Sequence, residues 1–506
     1  MKQFHVQNPG RDIITIARGA GIVFAGTIIG SGLRYIFQVI AARNLGAQFF
    51  GIFFLGFAVF KVAGMVSELG LPNGLLKYVA LYRGEGDQRR VKGMIILAVR
   101  IAAAASVIIA ILLIVFSKPA AVKLFHNPEL TNVLRIFALA LPFTTLTTVL
   151  LFSTQAFKVM KYKVVVREIL EPFLRIIAII ILLAAGLKLY GAVAAYSIPL
   201  AASAVLAFYC LKKVFPGISS ETLLPIYETR KLVDFSWPLS LVKFFGVSML
   251  WIDTLLIGFF KTSRDVGIFS AAQRTALLVS LIKVSFDSIF APVISDIYNR
   301  GEILRLEEYF KTVTKWIFAF SLPLFLLIAF FARSILGFFG PEFIEGSSCL
   351  FILSTAWLIY AGVGSVGQII IMTGRQRLHL LNIICVLFLN VILNLILIPK
   401  YGITGASAAT FAAISLMGVI ELIQVYAFLK IQPYRVDYFK PLAAGGISLL
   451  VLFILSESLG YPARLESMIL GSLVFLIVYG LSLFAFGLQE EDRIILIKVR
   501  EKIFKR

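Results

Sequence analysis

Fourteen apolar runs, each of roughly 20 residues, follow one another along the chain with only short polar loops between them. They fall near 17–42, 49–70, 93–116, 131–156, 168–187, 190–211, 237–260, 266–293, 313–333, 347–372, 378–398, 403–429, 441–458 and 465–487. Such a run crosses ~30 Å of hydrocarbon as an α-helix, and a helix satisfies its own backbone hydrogen bonds where no water can. No strand-like alternation is sustained, so the pattern of an outer-membrane barrel is missing. Apolar residues make up 59% of the 506 and charged residues 15%, with a mean hydropathy of +0.94. A soluble domain could not hide that much apolar surface; most of it must face lipid or neighbouring helices. The expectation is an all-α integral membrane protein of about 14 transmembrane helices.

The net charge of +21 is spread with a period that matches the spans. With a cytoplasmic N-terminus, the even-numbered loops and both termini carry about 31 Lys and Arg, including Arg89-Arg90, Lys161, Lys163, Lys212-Lys213 and the tail from Lys498 to Arg506. The opposite loops carry about nine: Arg43, Lys118, Lys123, Lys188, Lys261, Arg264, Arg333, Lys400 and Arg464. This is the positive-inside asymmetry; it places both termini in the cytoplasm and assigns the basic clusters to anionic headgroups, not to nucleic acid. Cys210, Cys349 and Cys385 lie in or beside apolar spans with no CxxC spacing, and His5, His126 and His379 are scattered. Neither a disulfide framework nor a zinc set is expected. The first apolar run is long enough to stay as a span, so it does not read as a cleavable signal.

The chain also repeats itself. Gly51-Ile52-Phe53 returns as Gly267-Ile268-Phe269 about 216 residues later, and each opens an apolar stretch. Each stretch ends in a basic loop, Arg83-Gly84-Glu85 and then Arg300-Gly301-Glu302. Tyr190-Gly191-Ala192 is answered by Tyr401-Gly402-Ile403. The order and near-constant offset predict two pseudo-symmetric six-helix lobes plus two extra C-terminal helices. The predicted divisions are an N-lobe at 1–215, a cytoplasmic linker at 216–236, a C-lobe at 237–430, spans 13 and 14 at 431–488, and a basic cytoplasmic tail at 489–506. An even number of spans per lobe gives both the same orientation, with a pseudo-two-fold axis along the membrane normal.

Three phrases carry a family likeness: Ala42-Arg43-Asn44-Leu45-Gly46 leading to Gly51-Ile52-Phe53; Trp251-Ile252-Asp253-Thr254-Leu255-Leu256-Ile257-Gly258; and Leu389-Asn390-Val391-Ile392-Leu393-Asn394 leading to Pro399-Lys400-Tyr401-Gly402-Ile403-Thr404-Gly405-Ala406. With the 6+6+2 arrangement, the chain resembles the polysaccharide (oligosaccharide) flippases of the multidrug/oligosaccharidyl-lipid/polysaccharide exporter superfamily. The resemblance implies a transporter, not an enzyme. Its cargo would be a polyprenyl-(pyro)phosphate-linked oligosaccharide, moved from the inner to the outer leaflet by alternating access of two lobes around a central cavity. The headgroup would enter between spans 1 and 8. It further implies a monomer in the plasma (inner) membrane, surrounded by membrane lipids and working beside polysaccharide polymerisation machinery. No cofactor is expected beyond Na⁺ or H⁺ as a coupling ion. The alternatives are a lipid II flippase, a multidrug cation antiporter, and a membrane glycosyltransferase, which would need catalytic carboxylates on a larger outer loop than any here.

Ionisable residues inside spans are the default candidates for function, because burying them is costly unless they are paired or hydrated. They include Arg34, Lys61, Arg100, Arg175, Lys243, Asp253, Arg274, Lys283, Asp287 and Glu421. The deep positions are mostly basic, which suits a phosphate-bearing headgroup and not a cationic drug. Arg34 and Arg274 each lie about eight residues below the outer end of their spans, and so at one depth. Both are candidate phosphate ligands, with Lys61 near the middle of span 2 extending the positive path. Lys283 is a weaker member, since it stands one turn before Asp287 and an internal i,i+4 pair competes for it. Arg100 and Arg175 are placed near cytoplasmic ends as anchors, and Lys243 fits either role. Asp253, Asn390 and Thr410 lie at one depth on their spans, with Asn394 one turn above Asn390 on the same face, and together they offer hard oxygens suited to Na⁺. Related flippases carry comparable residue types on the matching spans. The competing uses are helix–helix hydrogen bonding for the amides and a proton-carrier role for Asp253.

Overall fold

The computed structural model describes residues 9–458 and 465–487, with side chains from 25 to 456 and from 466 to 487; the basic tail predicted at 489–506 lies outside the described residues. The helices are α1 Pro9–Glu68, α2 Leu71–Gly84, α3 Gln88–Pro119, α4 Leu130–Ala156, α5 Lys161–Lys163, α6 Glu171–Ala184, α7 Lys188–Val214 and α8 Thr229–Phe260. They continue with α9 Ser263–Asn299, α10 Ile303–Phe330, α11 Ala332–Gly337, α12 Ser347–Gly362, α13 Val366–Met372, α14 Gln376–Leu429, α15 Phe439–Ser458 and α16 Leu465–Ala485. Among the described residues there is no strand, and 11 helices are long and apolar enough to span a membrane. The protein is a multi-pass, all-α membrane protein.

The 60-residue α1 and 54-residue α14 are each two predicted spans joined at a glycine. Gly46 takes φ 71° and Gly402 φ 58°, a left-handed region that a Cβ makes costly, so the direction of the chain changes there without a loop. Two other runs depart from a plain helix. The tenth is interrupted between α12 and α13, where Gly364 takes φ 71°. The fifth begins as a π-helix, Val164–Leu170, between α5 and α6.

Contacts divide the chain into two units, one holding the residues up to Ala271 with Val391–Ala406, the other Ala272–Asn390 with Ser407–Arg506. In the first unit, α3, α4 and α7 pack side by side and α1 lies against α4 and α8. Its interior is aromatic. Phe57 sits 4.7 Å from Tyr196 and 5.1 Å from Trp251 in edge-on contacts, and Phe60 stacks on Phe137 at 5.2 Å. Each such pair adds about 0.5–1.5 kcal/mol beyond the area it buries.

The two repeated glycines meet here. A Cβ on Gly51 would fall onto the Ser263 carbonyl and the Gly267 amide nitrogen, and one on Gly267 onto the Ala47 carbonyl and the Gly51 amide nitrogen. Reciprocal contact of like residues is what a two-fold axis produces.

The second unit has its own core from Phe290, Ile294, Phe310, Ile317, Val366 and Ile370. The final pair of helices is fastened to α10: Tyr438 stacks on Phe318 at 4.6 Å, and the Tyr479 hydroxyl donates to the Ala319 carbonyl at 2.7 Å.

Candidate substrate and ion sites

In the first unit, Arg34 projects from α1 toward the π-helical segment. Its guanidinium is 2.8 Å from the Glu168 carboxylate and donates to Ser31 Oγ at 3.0 Å. Gly26 and Gly30 allow this approach: a Cβ on Gly26 would strike Val164, and one on Gly30 the Glu168 backbone. Gly26 and Gly30 therefore serve close packing here. The Arg34 side chain keeps 36% of its surface accessible, so its pairing leaves it reachable. A π-helix within an α-helical span is a recurrent mark of function.

Lys61 lies in an aromatic bowl, its ammonium 4.9 Å from the Phe57 centroid and 5.8 Å from that of Tyr196. A second cation at Tyr196 is Arg175, 3.6 Å from the ring and paired with the Glu171 carboxylate one turn before it. The expectation that Arg175 anchors at a cytoplasmic end is corrected here. The residue is buried, because Glu171 at i−4 and the face of Tyr196 replace its hydration. Arg100 lies over the Tyr227 ring, at 5.7 Å. Lys243 of α8 is ion-paired with Glu68 at the end of α1.

The linker is held on α2 and α3. The Ile226 amide donates to the Arg89 carbonyl at 3.1 Å, and Arg89 Nε donates to the Leu224 carbonyl at 3.1 Å. Glu228 accepts from the Tyr82 hydroxyl and from Lys231 at 3.0 Å, with Arg90 3.6 Å away. The tyrosine hydrogen bond, reinforced by the two cations, holds the Glu228 carboxyl below its usual range.

Of the four oxygen-bearing candidates for a cation, Asp253 and Asn394 belong to the first unit. Both are fully buried, and Asn394 Nδ2 donates to Asp253 Oδ1 at 2.8 Å. In the second unit Asn390 Nδ2 is 3.4 Å from Thr410 Oγ1, and both residues are buried. Within the first unit, the Asp253 carboxylate and the Asn394 amide oxygen are hard donors, the kind that Na⁺ takes. Among the described residues no cluster of three or more His, Cys, Asp or Glu is placed to hold a metal ion.

Arg274 is half-buried on α9. Lys283, two and a half turns further along, is bound to Asp287 at 2.8 Å and lies 4.5 Å from the Tyr360 centroid. Of the two uses open to Lys283 in the sequence, the pair within α9 is the one observed. Glu168, Glu171, Tyr196 and Glu68, which complete these sites, were not among the candidates. Of these, Glu171 alone could have been found from the sequence, by its i,i+4 spacing to Arg175.

The profile of the polysaccharide biosynthesis protein family matches residues 16–298, and that of the MatE family matches residues 238–396. The chain belongs to the polysaccharide biosynthesis protein family. Its membership places it in the superfamily of flippases and multidrug exporters that its motifs resemble. It is similar to the probable low-salt glycan biosynthesis flippase Agl15 of Haloferax volcanii, with 26% identity covering 82% of this chain and 85% of the relative. Its fold is shared with the lipid II flippase MurJ in an inward closed conformation, at TM-score 0.73 and 17% identity over 92% of this chain and 98% of that one. A multidrug resistance MATE family transporter in an inward-facing conformation follows at TM-score 0.66 and 15% identity, covering 81% and 98%.

Proposed function

We propose that the protein flips a polyprenyl-(pyro)phosphate-linked oligosaccharide from the inner to the outer leaflet of the plasma membrane by alternating access, with both termini cytoplasmic. The observation that carries this reading is the Arg34 guanidinium, a cation within a span that keeps part of its surface accessible. Arg34 stays accessible beside Glu168, Lys61 is held over aromatic faces, and Arg274 adds a third cation from the second unit. Arg offers phosphate a planar fork and Lys a point charge, whereas a carrier of cationic drugs would need acidic residues there. Family membership and the glycan flippase named among its relatives support the same substrate class. The protein acts as a monomer beside glycan-polymerising enzymes and itself catalyses no bond change.

The proposal includes a coupling cation. Asp253 and Asn394 would contribute a carboxylate and an amide oxygen to Na⁺.

Flipping of a fluorescent polyprenyl-pyrophosphate glycan in proteoliposomes tests the reading. Wild type is expected to translocate it. Arg34→Ala and Arg274→Ala are each expected to lose roughly tenfold or more, since a charge-assisted hydrogen bond contributes about 1.5–3 kcal/mol. Full activity in both variants would contradict a phosphate role for the two arginines.

A further inference from the structure

A second ionisable cluster lies in the second unit and belongs to none of the sites above. Glu421, on the second arm of α14, is fully buried. His379, on the first arm, brings Nδ1 to 2.7 Å from the Glu421 carboxylate, and the Tyr360 hydroxyl of α12 reaches the same carboxylate at 3.5 Å. Asn382 and Gln424 exchange two amide hydrogen bonds, at 2.7 and 2.9 Å, between the same two arms. Gly367 of α13 closes the remaining side; a Cβ there would sit 3.1 Å from Glu421 Oε2 and 3.3 Å from the His379 ring.

The other charges around this cluster are Lys283 and Asp287 of α9. They pair with each other at 2.8 Å, with the Lys283 ammonium above the Tyr360 ring. Arg375, one turn before His379, lies over the Phe428 ring at 4.8 Å. Lys283 and Asp287 therefore cancel locally, and His379 is the basic group in contact with Glu421. A bare carboxylate at a site without water costs several kcal/mol. A proton held in the short His379–Glu421 contact, on either ring nitrogen or carboxyl oxygen, would offset that cost. The His379 side chain retains 19% accessibility while Glu421 has none, so His379 is the open end of the pair.

We propose that Glu421 and His379 form a proton-binding site in which one proton, taken from water, is shared across the two arms of α14. An N–H or O–H bond forms as water loses the proton, and the reverse step returns it to water when the arms part. Proton binding stands on this geometry alone; its use in a transport cycle rests on the flippase reading above.

Difference infrared spectroscopy of the full-length protein in lipid, stepped between acid and alkaline pH without substrate, reads the carboxyl directly. Wild type is expected to show a pH-dependent band pair from a buried carboxyl or carboxylate group that is lost in Glu421→Gln and displaced in His379→Gln. A band pair unchanged in Glu421→Gln, or unmoved in His379→Gln, would overturn the proposal. His379→Gln leaves the carboxylate in place, so it decides the matter even where Glu421→Gln does not fold. No lipid is flipped in this measurement, so its failure and the failure of the flippase reading are separate results.

Discussion

Gly51 and Gly267 meet backbone to backbone, each occupying the place where a side chain on the other would have to go. They are the same residue of the same repeated phrase, so one contact explains both glycines. Neither flank can yield easily, because the atoms in the way are main-chain carbonyls and amides of helices packed along their length.

Gly51→Ala and Gly267→Ala are accordingly expected to destabilise the protein by about 1–3 kcal/mol, the usual penalty for overfilling a packed contact. Gly32, on the same long helix, has nothing within 4 Å of a built Cβ. Gly32→Ala should be neutral, or stabilising by about 0.5–1 kcal/mol through helix propensity. Thermal unfolding of the three variants in one detergent checks the contrast, and an equal loss in all three would refute it.

The buried Asp253–Asn394 hydrogen bond makes a separate prediction. If Na⁺ binds here, adding it should raise the unfolding midpoint, by the equivalent of about 2.7 kcal/mol at a hundred times its dissociation constant. K⁺ should do much less. Asp253→Ala should abolish the sodium response; its persistence would remove Asp253 from the site.

Acidification should loosen the linker. The Glu228 carboxyl is held below its usual range by the Tyr82 hydroxyl, with Lys231 and Arg90 behind it. A depressed folded-state pKa means that this stabilisation is present above the ordinary glutamate range and is lost as the pH falls through the depressed value. Hydrogen exchange at residues 216–228 is expected to rise over that window in wild type. In Glu228→Gln it should already be raised at neutral pH and change little on acidification, whereas a wild-type rise retained in that variant would assign it elsewhere.

The spans were legible because lipid demands uninterrupted apolar length, and the joints at Gly46 and Gly402 fell where two runs met. The π-helical stretch Val164–Leu170 was not legible, since its composition is that of any apolar helix and its register is set by packing against α1. Partners divide in the same way. Lys283 and Asp287 could be paired from their spacing, and so could Glu171 and Arg175, although Arg175 was placed at the membrane surface because its depth alone was weighed. Arg34 and Glu168 are 134 positions apart, and His379 and Glu421 are 42 apart across a hairpin. No periodicity links such residues, so only the folded chain brings them together.

The reading of an anionic lipid-linked cargo is tested most directly by native mass spectrometry of the full-length protein purified from membranes that make such lipids. The account predicts that wild type carries a polyprenyl-phosphate-linked glycan and that the Arg34→Ala/Arg274→Ala double variant does not. A wild-type protein that holds only bulk phospholipid, or a double variant that holds the glycan lipid equally well, would contradict it.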